Sequence, residues 1–577
     1  MKIKHLFGLA VIAAMSASCS SNEDLGTAGP GTGTNEAGVG YATFTINLPS
    51  VSGTRADAGG AEMNEGTEEE YAVKNATALV FQKYGSDEGS YKFVESVTLL
   101  PIEGWTDDAT DGITTTSQKL VAKLTNVDTK NDYSVLILLN NKKVGLPTVG
   151  QSYNDWNKNI LTLSVTDWAG SDGFYMANAP LKGSAASPAT LVPIDKDKIY
   201  ASEAKAKEDA STCAATVYVE RGVAKMTVAD PGTIPVKDKA TNTETESTVK
   251  FSNWALDITN KKTYAVHNID GLKSDFGDIW KTDPSNRFIG TNNRVYWGKD
   301  PNYDKAELKL TDEAVAKRKD EFNFITATSE INKDFTNATI TNPVYCLENT
   351  FNLENMYQGQ TTRVIFKAKY TPKDGLAETD GTFYTIGNMT TILNETKLKA
   401  AVEAAATSVL PTGYTIDYTK FKTEEGSHVI TLADIKDASG TPLVAGTDYS
   451  GKTGTEIVKA INDKLGLTDE GGRTEEMVGI NTYLKGVTYY IARVKHFGAL
   501  TEWHSGESYG TNNGKYLGRY GMLRNNWYEL KVGNVYGPGY PGVPPVDPTQ
   551  PDDENEKYLS VSVKILSWAK RSDTVDL

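Results

Sequence analysis

Residues 41–48 read YATFTINL and alternate strictly between apolar and polar side chains from residue 42 onward. A period of two is typical of a β-strand with one buried and one exposed face. The apolar face of the predicted strand consists of Ala42, Phe44, Ile46 and Leu48. Because hydroxyl and amide side chains occupy the other face, the pattern predicts a strand that covers a hydrophobic core.

A loop follows this strand, and it contains the first arginine of the chain. Pro49 and Gly53 end the strand, and Arg55 and Ala56 come directly after them. The next arginine is Arg221. Since proteases cut preferentially in exposed, pliable loops, an arginine-specific protease acting on the first 220 residues would find one bond to cleave, between Arg55 and Ala56.

The same alternation returns near the end of the chain, at residues 559–565. Its apolar positions are Leu559, Val561, Val563 and Ile565. The preceding stretch, 537–557, holds six of the chain's 21 prolines. Proline-rich segments favour extended polyproline II at about 3.1 Å per residue, so this stretch could span roughly 60 Å. The pattern predicts an arm that ends in a strand.

The two matching strands suggest how copies of the chain could associate. Cleavage after Arg55 would release the first strand and leave a sheet with unpaired backbone groups and exposed apolar surface. The arm of a second molecule could fill that vacancy by strand addition, and repeated head-to-tail contacts of this kind can build a filament. Alternatively, the two segments are ordinary first and last strands of separate sheets, and Arg55 has no special role.

The N-terminus is typical of an exported protein. Lys2 and Lys4 precede an apolar stretch at 6–15, and small residues then lead to Cys19. This is a secretory signal, too short to span a membrane as a mature helix. The sequence SASC at 16–19 resembles the lipobox of bacterial lipoproteins, which predicts acylation of Cys19; the alternative is an ordinary signal peptide ending at this cysteine.

Size and strand spacing indicate two β-rich domains. A chain of 577 residues is too long for one hydrophobic core. Short strands are predicted at 76–81, 93–100, 133–139, 216–219, 223–228, 364–370, 489–494, 527–532 and 559–565, a spacing typical of antiparallel sandwiches. Helices are predicted at 311–322, 396–406 and 456–465. The expected organisation is a signal peptide at 1–19, a tether and first strand at 20–55, domains at 56–235 and 236–536, and the arm at 537–577.

Charge and motif content exclude several classes of function. The net charge is −15 and basic residues form no cluster, which argues against a nucleic-acid partner. GPGYPG at 537–542 satisfies G-x-G-x-x-G only formally, because its prolines forbid the strand-turn-helix context. No metal-binding spacing occurs, and although His496 and His504 lie near Glu502, local hydrogen-bond partners explain them better. We expect no cofactor, no metal and no catalytic residue.

The two remaining cysteines, Cys213 and Cys346, form no disulfide framework, and their spacing matches no metal motif. Export would permit a disulfide between them. We predict two buried thiols.

Several strings in chain order resemble the fimbrillin family of Bacteroidales type V pili, and in particular the major shaft subunit of the Mfa-type, or minor, fimbriae. They are YSVLILLNN at 133–141, VYVERGVAKMTV at 217–228, FSNWALDITNKKTY at 251–264, YCLENT at 345–350, YYIARVKHFG at 489–498, YGMLRNNWYELKV at 520–532 and YLSVSVKILSW at 558–568. The lipobox is imperfect, since Ser16 replaces the usual leucine. No string matches the stretch 371–482, which would then be an insertion that carries a subunit-specific surface.

The resemblance implies an all-β fold with minor helices, consisting of two transthyretin-like β-sandwich domains completed by strand exchange between subunits. It implies a structural, non-enzymatic fimbrial shaft subunit that supports adhesion and biofilm formation. The precursor would sit on the outer membrane through lipidated Cys19 until an arginine-specific protease cuts after Arg55. Its partners would be further copies of itself and fimbrial anchor and tip proteins. The alternative is a monomeric outer-membrane lipoprotein that binds glycans through its aromatic residues.

Overall fold

The computed structural model describes residues 33–48, 63–64, 66–99, 117–182, 188–208, 213–275, 277, 288–289, 294–303, 318–335, 342–350, 356–387, 389–467, 479–496, 514–544, 546 and 559–568. At 63–64, 68, 117 and 559–568 only the backbone is described. Every strand predicted from the sequence is present, with bounds that differ by a few residues. The all-β class with minor helices is therefore confirmed.

One nine-stranded sheet is built almost entirely from the first 221 residues. Its strands are β1 (Gly40–Asn47), β3 (Ala76–Gln82), β4 (Lys92–Thr98), β5 (Ser117–Leu124), β6 (Tyr133–Leu139), β8 (Met176–Asn178), β9 (Val192–Ile194), β10 (Ile199–Tyr200) and β11 (Ala215–Arg221). They follow the order β10-β1-β11-β8-β6-β3-β4, with β5 on β1 and β9 on β6. Their inward side chains share one hydrophobic core, in which β6 is buried along its whole length.

A second nine-stranded sheet contains the rest of the long strands. Its members are β2 (Met63–Asn64), β12 (Val223–Val228), β13 (Thr233–Lys237), β14 (Glu244–Asp257), β18 (Val344–Leu347), β19 (Arg363–Thr371), β25 (Val487–Arg493), β26 (Asn526–Val535) and β27 (Leu559–Trp568). The order is β18-β12-β26-β13-β14-β19-β25, with β27 on β26 and β2 on β27. The second domain therefore recruits the short strand β2, which precedes most of the first domain in sequence.

The chain changes sheets at Gly222, earlier than the predicted boundary at 235/236. β11 ends at Arg221 in the first sheet, and β12 begins at Val223 in the second. A Cβ atom at Gly222 would lie 2.3 Å from the ring of Trp168, so only glycine permits this close passage. The predicted boundary at 235/236 lies within β13, which forms a hairpin with β14 in the second sheet.

The stretch between β19 and β25 forms a small unit with its own core. It contains β20 (Phe383–Ile386), β21 (Tyr414–Ile416), β22 (Gly426–His428), β23 (Ile435–Asp437), β24 (Ile480–Tyr483), α5 (Glu395–Ala406), α6 (Thr419–Thr423) and α7 (Gly454–Leu465). Ile457 and Ile461 of α7 are fully buried in this core, as the helical spacing predicted, and Leu465 packs against it. Because the core is separate from those of the two sheets, the insertion is a subdomain.

The remaining elements are short. Helices are α1 (Glu68–Tyr71), α2 (Tyr153–Asn157), α3 (Glu203–Glu208) and α4 (Leu272–Asp275); strand pairs are β7 (Ile160–Thr162) with β16 (Lys262–Tyr264) and β15 (Thr259–Asn260) with β17 (Phe322–Asn323). Single 3₁₀ turns lie at Glu88–Ser90, Val165–Asp167, Lys196–Lys198, Thr328–Glu330, Gln358–Gln360, Leu432–Asp434, Leu484–Gly486 and Gly514–Tyr516. Of the helix predicted at 311–322, only the end at 318–321 is described.

The first part of the proline-rich stretch is packed against the second domain. Tyr540 is buried and exchanges backbone hydrogen bonds with Tyr489 of β25. The Tyr490 hydroxyl donates to Gly537 O at 2.8 Å, and Arg363 Nη2 donates to Pro544 O at 2.8 Å. Residues 537–544 are thus part of the second domain in this structure rather than a free arm. None of the described helices is both long and apolar enough to cross a membrane.

Candidate functional site

Strand β1 is paired along both edges. On one side, all eight of its residues pair antiparallel with β5, from Gly40 opposite Leu124 to Asn47 opposite Ser117. On the other side, residues 44–47 run parallel to β11, and residues 41–42 run antiparallel to β10. We call the space that β1 fills between β5 and these two strands the β1 groove. Removal of β1 would leave unpaired backbone groups on both walls of this groove.

The inward face of β1 belongs to the core of the first domain. Ala42, Phe44 and Ile46 are fully buried, and Leu48 is 2% exposed. Burial of one such aliphatic or aromatic side chain contributes about 1.5 to 3 kcal/mol. The strand therefore contributes to the core as well as to the sheet, and its departure would expose the floor of the β1 groove to water.

The outward face of β1 is covered at one point by helix α3. The Thr43 hydroxyl donates to the carbonyl oxygen of Ala206 in α3 at 2.9 Å, and both groups are buried. The backbone N–H of Ala214 donates to Thr43 O at 2.8 Å. Thr45, two residues on, is only half-buried. Asn47, at the end of β1, is also buried, and its Nδ2 donates to Val217 O at 3.4 Å. The β1 groove thus has two buried carbonyls, Ala206 O and Val217 O, that accept from side chains of the strand that occupies it.

Part of the predicted tether is also ordered against the first domain. The Gly33 N–H donates to Ile199 O at 2.6 Å, and Asn35 closes a turn that returns the chain to β1. A Cβ atom on Gly40 would lie 2.6 Å from Ile199 Cγ2. Residues 33–39 therefore close the end of the β1 groove next to β10. All of them precede Arg55.

The predicted lipidation and cleavage residues, Cys19, Arg55 and Ala56, lie outside the described residues. The described strands on either side of the Arg55–Ala56 bond belong to different sheets, since β1 is in the first and β2 is in the second. Between those strands, the chain crosses from one domain to the other.

The chain downstream of the Arg55–Ala56 bond is anchored independently of β1. Glu70 in α1 is fully buried, and its carboxylate lies 2.7 Å from Lys225 Nζ of β12. Arg221 Nε donates to Glu70 O at 2.8 Å, and Tyr345 donates to the Glu70 carboxylate. Burial lowers the pKa of Lys225 to about 8, although Glu70 opposes this shift. Its ammonium also lies 3.5 Å from the centre of the Trp527 ring, a cation–π contact.

The C-terminal strand lies in the second sheet of its own chain. β27 pairs antiparallel with β26 from Leu559 opposite Val535 to Ser567 opposite Asn526. The four predicted donor positions, Leu559, Val561, Val563 and Ile565, lie opposite Val535, Val532, Leu530 and Tyr528. Among the described residues, the far edge of β27 is paired at Ser567 and Trp568 alone, by β2. Within one chain, the structure does not bring β27 to the β1 groove.

The cysteines differ from the prediction of two buried thiols. Cys346 is buried, which raises its pKa to about 12. Cys213 is only partly buried, because it precedes β11 at the rim of the sheet, and its sulfur lies 3.1 Å from Thr216 Oγ1. The two are not joined in a disulfide.

The residues weighed for other chemistry are in ordinary surroundings where the structure describes them. His496 is buried, with Nδ1 2.7 Å from the Tyr528 hydroxyl. His504 and Glu502 lie outside the described residues. Within the described part of the chain, no three acidic, histidine or cysteine side chains are grouped to hold a metal ion.

The sequence analysis missed two buried ionic groups at the domain junction. One is the Glu70 anchor, and the other joins Glu220, His267 and Arg294. Their members come from distant parts of the chain, so no local pattern could have predicted them. A cleft of about 530 Å³ also lies at this junction, between the Glu88 turn and residues 268–274. Burial raises the pKa of Glu88 to about 7 even though backbone N–H groups of Thr190 and Leu191 donate to its carboxylate.

Comparison with known proteins identifies the C-terminal region. Residues 481–574 match the family model described as "Major fimbrial subunit protein type IV, Fimbrillin, C-terminal". This part of the chain contains β24 to β27, including the whole of the predicted donor strand. The C-terminal region is therefore similar to that of fimbrillins, and the predicted resemblance to the Bacteroidales fimbrillin family is confirmed.

Two solved structures align over most of the chain at low similarity. A candidate cell adhesion protein from Parabacteroides distasonis is 10% identical, with 93% of this chain and 99% of that chain covered and a TM-score of 0.39. The tip fimbrial protein Mfa3 from Porphyromonas gingivalis, with a C-terminal truncation, is 9% identical, with 92% and 100% covered and a TM-score of 0.28. Both TM-scores are below 0.5, so neither alignment establishes a shared fold. No curated protein matches the chain significantly.

Proposed function

We propose that this chain is a shaft subunit of a cell-surface fimbria that supports adhesion and biofilm formation, and that it polymerises by donor-strand exchange. It is exported as a lipoprotein on Cys19 and held at the outer membrane. An arginine-specific protease cleaves after Arg55 and so releases residues up to and including β1. The C-terminal strand of the next subunit then enters the β1 groove. Fimbrial anchor and tip proteins would complete the two ends of the filament.

The pairing of β1 along both edges is the observation that carries this proposal. β1 precedes the proposed scissile bond, is paired along both edges and is buried on its inward face. Its removal therefore leaves a defined vacancy in the sheet. A strand lying loose in solvent would leave none. The unpaired walls and apolar floor of the vacancy match what a β-strand from another subunit supplies.

Two further features support it. The chain after the scissile bond stays attached through the buried Glu70–Lys225 pair, so cleavage need not unfold the first domain. The donor strand has one almost unpaired edge, since β2 covers only its last two residues. To be released, the strand would therefore have to break its ladder of backbone hydrogen bonds to β26 and only a two-residue pairing with β2.

The proposal is tested by making cleavage controllable. The Arg55→Lys variant should resist an arginine-specific protease and remain a soluble monomer that retains β1. Adding the arginine-specific protease should leave its 55–56 bond intact, and no filaments should form. Electron microscopy and light scattering report filament growth, and N-terminal sequencing of the filament should begin at Ala56.

Wild-type protein treated with the arginine-specific protease is the matched positive control. Filaments that grow from uncleaved Arg55→Lys protein would rule the mechanism out. A surface protein that keeps an acylated Cys19 and occurs only as monomers would support the glycan-binding lipoprotein instead.

A further inference from the structure

We infer that the donor strand enters the β1 groove in the same direction as β1 and in one register, with Ser560 in the place of Thr43. This inference rests on the proposed function and specifies the partner strand of the same site. In this register residues 558–565, YLSVSVKI, replace residues 41–48, YATFTINL. The partner is the C-terminal strand of a second copy of this chain.

The outward positions of the two segments decide the register. Thr43 is buried under α3, where its hydroxyl donates to Ala206 O. In the inferred register Ser560 supplies a hydroxyl at this position, so that the buried carbonyl keeps a donor. Tyr558 and Ser562 then replace Tyr41 and Thr45, which conserves the chemical type at both half-buried positions. Lys564 replaces the buried Asn47 at the end of β1, where its ammonium supplies a donor to Val217 O in place of the Asn47 amide.

A donor strand that ran opposite to β1 would fit less well at the position beneath α3. With the apolar residues kept inward, a reversed strand would place Lys564 or Leu566 beneath α3, according to its register. Neither side chain carries a hydroxyl. Leu566 would leave Ala206 O without a donor. Lys564 would place its ammonium beneath α3 and Leu566 at the half-buried Tyr41 position, so that of the Tyr41, Thr43 and Thr45 positions only the last would keep its chemical type.

The inward positions require two adjustments in volume: Leu559 is larger than Ala42, and Val561 is smaller than Phe44, so volume is added and removed at neighbouring positions of the same face. Ile199 of β10, the neighbour of Ala42, closes that end of the groove. Ile199 is held there in part by the hydrogen bond from Gly33, and residues 33–39 depart together with β1. The vacated volume lies next to the Ala42 position, where the extra volume of Leu559 is needed. Val561, Val563 and Ile565 follow at the positions of Phe44, Ile46 and Leu48.

Pairs of cysteines on β5 and on the donor segment test direction and register together. Lys119 and Lys123 are exposed and lie opposite Thr45 and Tyr41. The variants are made in a Cys213→Ser background, cleaved after Arg55 and then oxidised. Lys119→Cys combined with Ser562→Cys should then join subunits by disulfides, which a non-reducing gel shows as a ladder of oligomers. Lys123→Cys combined with Tyr558→Cys should do the same. This second pair decides the direction, because a reversed strand with Lys564 beneath α3 would also place Ser562 opposite Lys119. In its own chain Ser562 lies opposite Lys531 of β26, in the second sheet, so the ladder reports contacts between subunits.

The outcomes separate the two proposals. If filaments form and Lys123→Cys instead links to Leu566→Cys or to Trp568→Cys, the strand runs in the opposite direction, and only the inference about direction and register is overturned. If filaments form and no cysteine pair links, the donor does not occupy the β1 groove, and the proposed function fails as well. If processed wild-type chains form no filaments, the proposed function fails first.

A pair of serine variants gives a second, independent measurement. Ser560→Ala removes the hydroxyl that would replace the Thr43 bond, and subunits should dissociate from filaments about fivefold faster. Ser562→Ala is the matched control, since the Thr45 position is half-exposed, and it should change the dissociation rate little. Equal rates for the two variants would overturn the register.

Discussion

At the scale of single residues, the junction between the domains depends on buried charges. The Glu220 carboxylate lies 2.8 Å from His267 Nδ1 and 2.6 Å from Arg294 Nη2, and all three side chains are buried. Nearby, Arg524 Nε donates to Glu348 at 3.0 Å. Burial by itself would raise the pKa of Glu220, but Arg294 and His267 outweigh that effect and lower it to about 2. The ionised carboxylate therefore stabilises the folded state.

The Glu220→Gln variant should be less stable than the wild type at neutral pH by roughly 3 to 5 kcal/mol, because it leaves Arg294 buried without its charged partner. The folded-state pKa of Glu220 lies below its usual 4.5, so its contribution is present above about pH 4.5 and is lost as the pH falls toward 2. The difference in free energy of unfolding between variant and wild type should shrink over that range.

Urea denaturation at pH 7 and pH 3 measures this change. Glu208→Gln is the matched control, since Glu208 forms an exposed pair with Lys205 that contributes little. A difference between Glu220→Gln and wild type that does not change with pH would contradict the assignment.

At the scale of elements, the local sequence pattern of β1 predicts its conformation and its buried face but not its neighbouring strands. Its alternation predicted a strand and an inward face, and both are observed. Its neighbours could not be predicted, because β5, β10 and β11 lie between 70 and 180 residues away in sequence. In the proposed function β1 stabilises the precursor and then leaves, so its contribution to stability should depend on cleavage.

Phe44→Ala should lower the stability of the uncleaved precursor by about 3 to 5 kcal/mol, the usual range for a buried phenylalanine. After cleavage at Arg55 and removal of the released segment, the variant and the wild type are the same molecule and should melt at the same temperature. Thermal unfolding before and after cleavage tests this. Thr45→Ala is the matched control and should change the precursor little. A difference that persists after cleavage would mean that β1 stays in the sheet.

The insertion between β19 and β25 should be removable, because it has its own core and its two connecting strands are adjacent. Ile386 at the end of β20 lies opposite Ile480 at the start of β24, and Gly387 N donates to Gly479 O at 2.7 Å. Replacing residues 388–478 by Asn-Gly would close a two-residue hairpin. Ile386→Thr and Ile480→Thr would remove the apolar surface that this exposes.

We expect the shortened chain to keep its strand signal in circular dichroism, to lose most of its helical signal, and to form filaments after cleavage. The full-length chain with the same two isoleucine substitutions is the control, and only its insertion should be destabilised. Filament loss in a folded, shortened chain would show that the insertion takes part in assembly.

At the scale of the whole molecule, the two sheets are joined through short and buried connections. Gly222 passes against Trp168 where the chain changes sheets, and Met63 and Asn64 of β2 pair with the end of β27. The proposed acceptor is in the first sheet, and the proposed donor is in the second. A single chain thus carries both halves of the contact on different domains, the arrangement that head-to-tail growth requires.

A chain truncated before Tyr558 should therefore accept a donor but supply none. After cleavage it should remain monomeric by itself, since its β1 groove has no strand to receive. Mixed with processed wild-type protein, it should end growing filaments and shorten them in proportion to its fraction, as measured by electron microscopy. Circular dichroism must first show that it is folded, because removal of β27 exposes one edge of β26. Normal filaments from the truncated chain alone would contradict donor-strand exchange.

The sequence by itself determined the strands, the inward faces of β1 and α7, and the resemblance to fimbrillins. These follow from local periodicity and from short strings, which depend on neighbouring residues only. The tertiary structure alone decided that β1 is paired on both edges, that the sheets change at Gly222, and that Glu70 anchors the chain behind the scissile bond. Strand pairs and buried ion pairs join residues that are far apart in sequence. Which residues pair depends on how the whole chain packs, so a local sequence pattern cannot predict it.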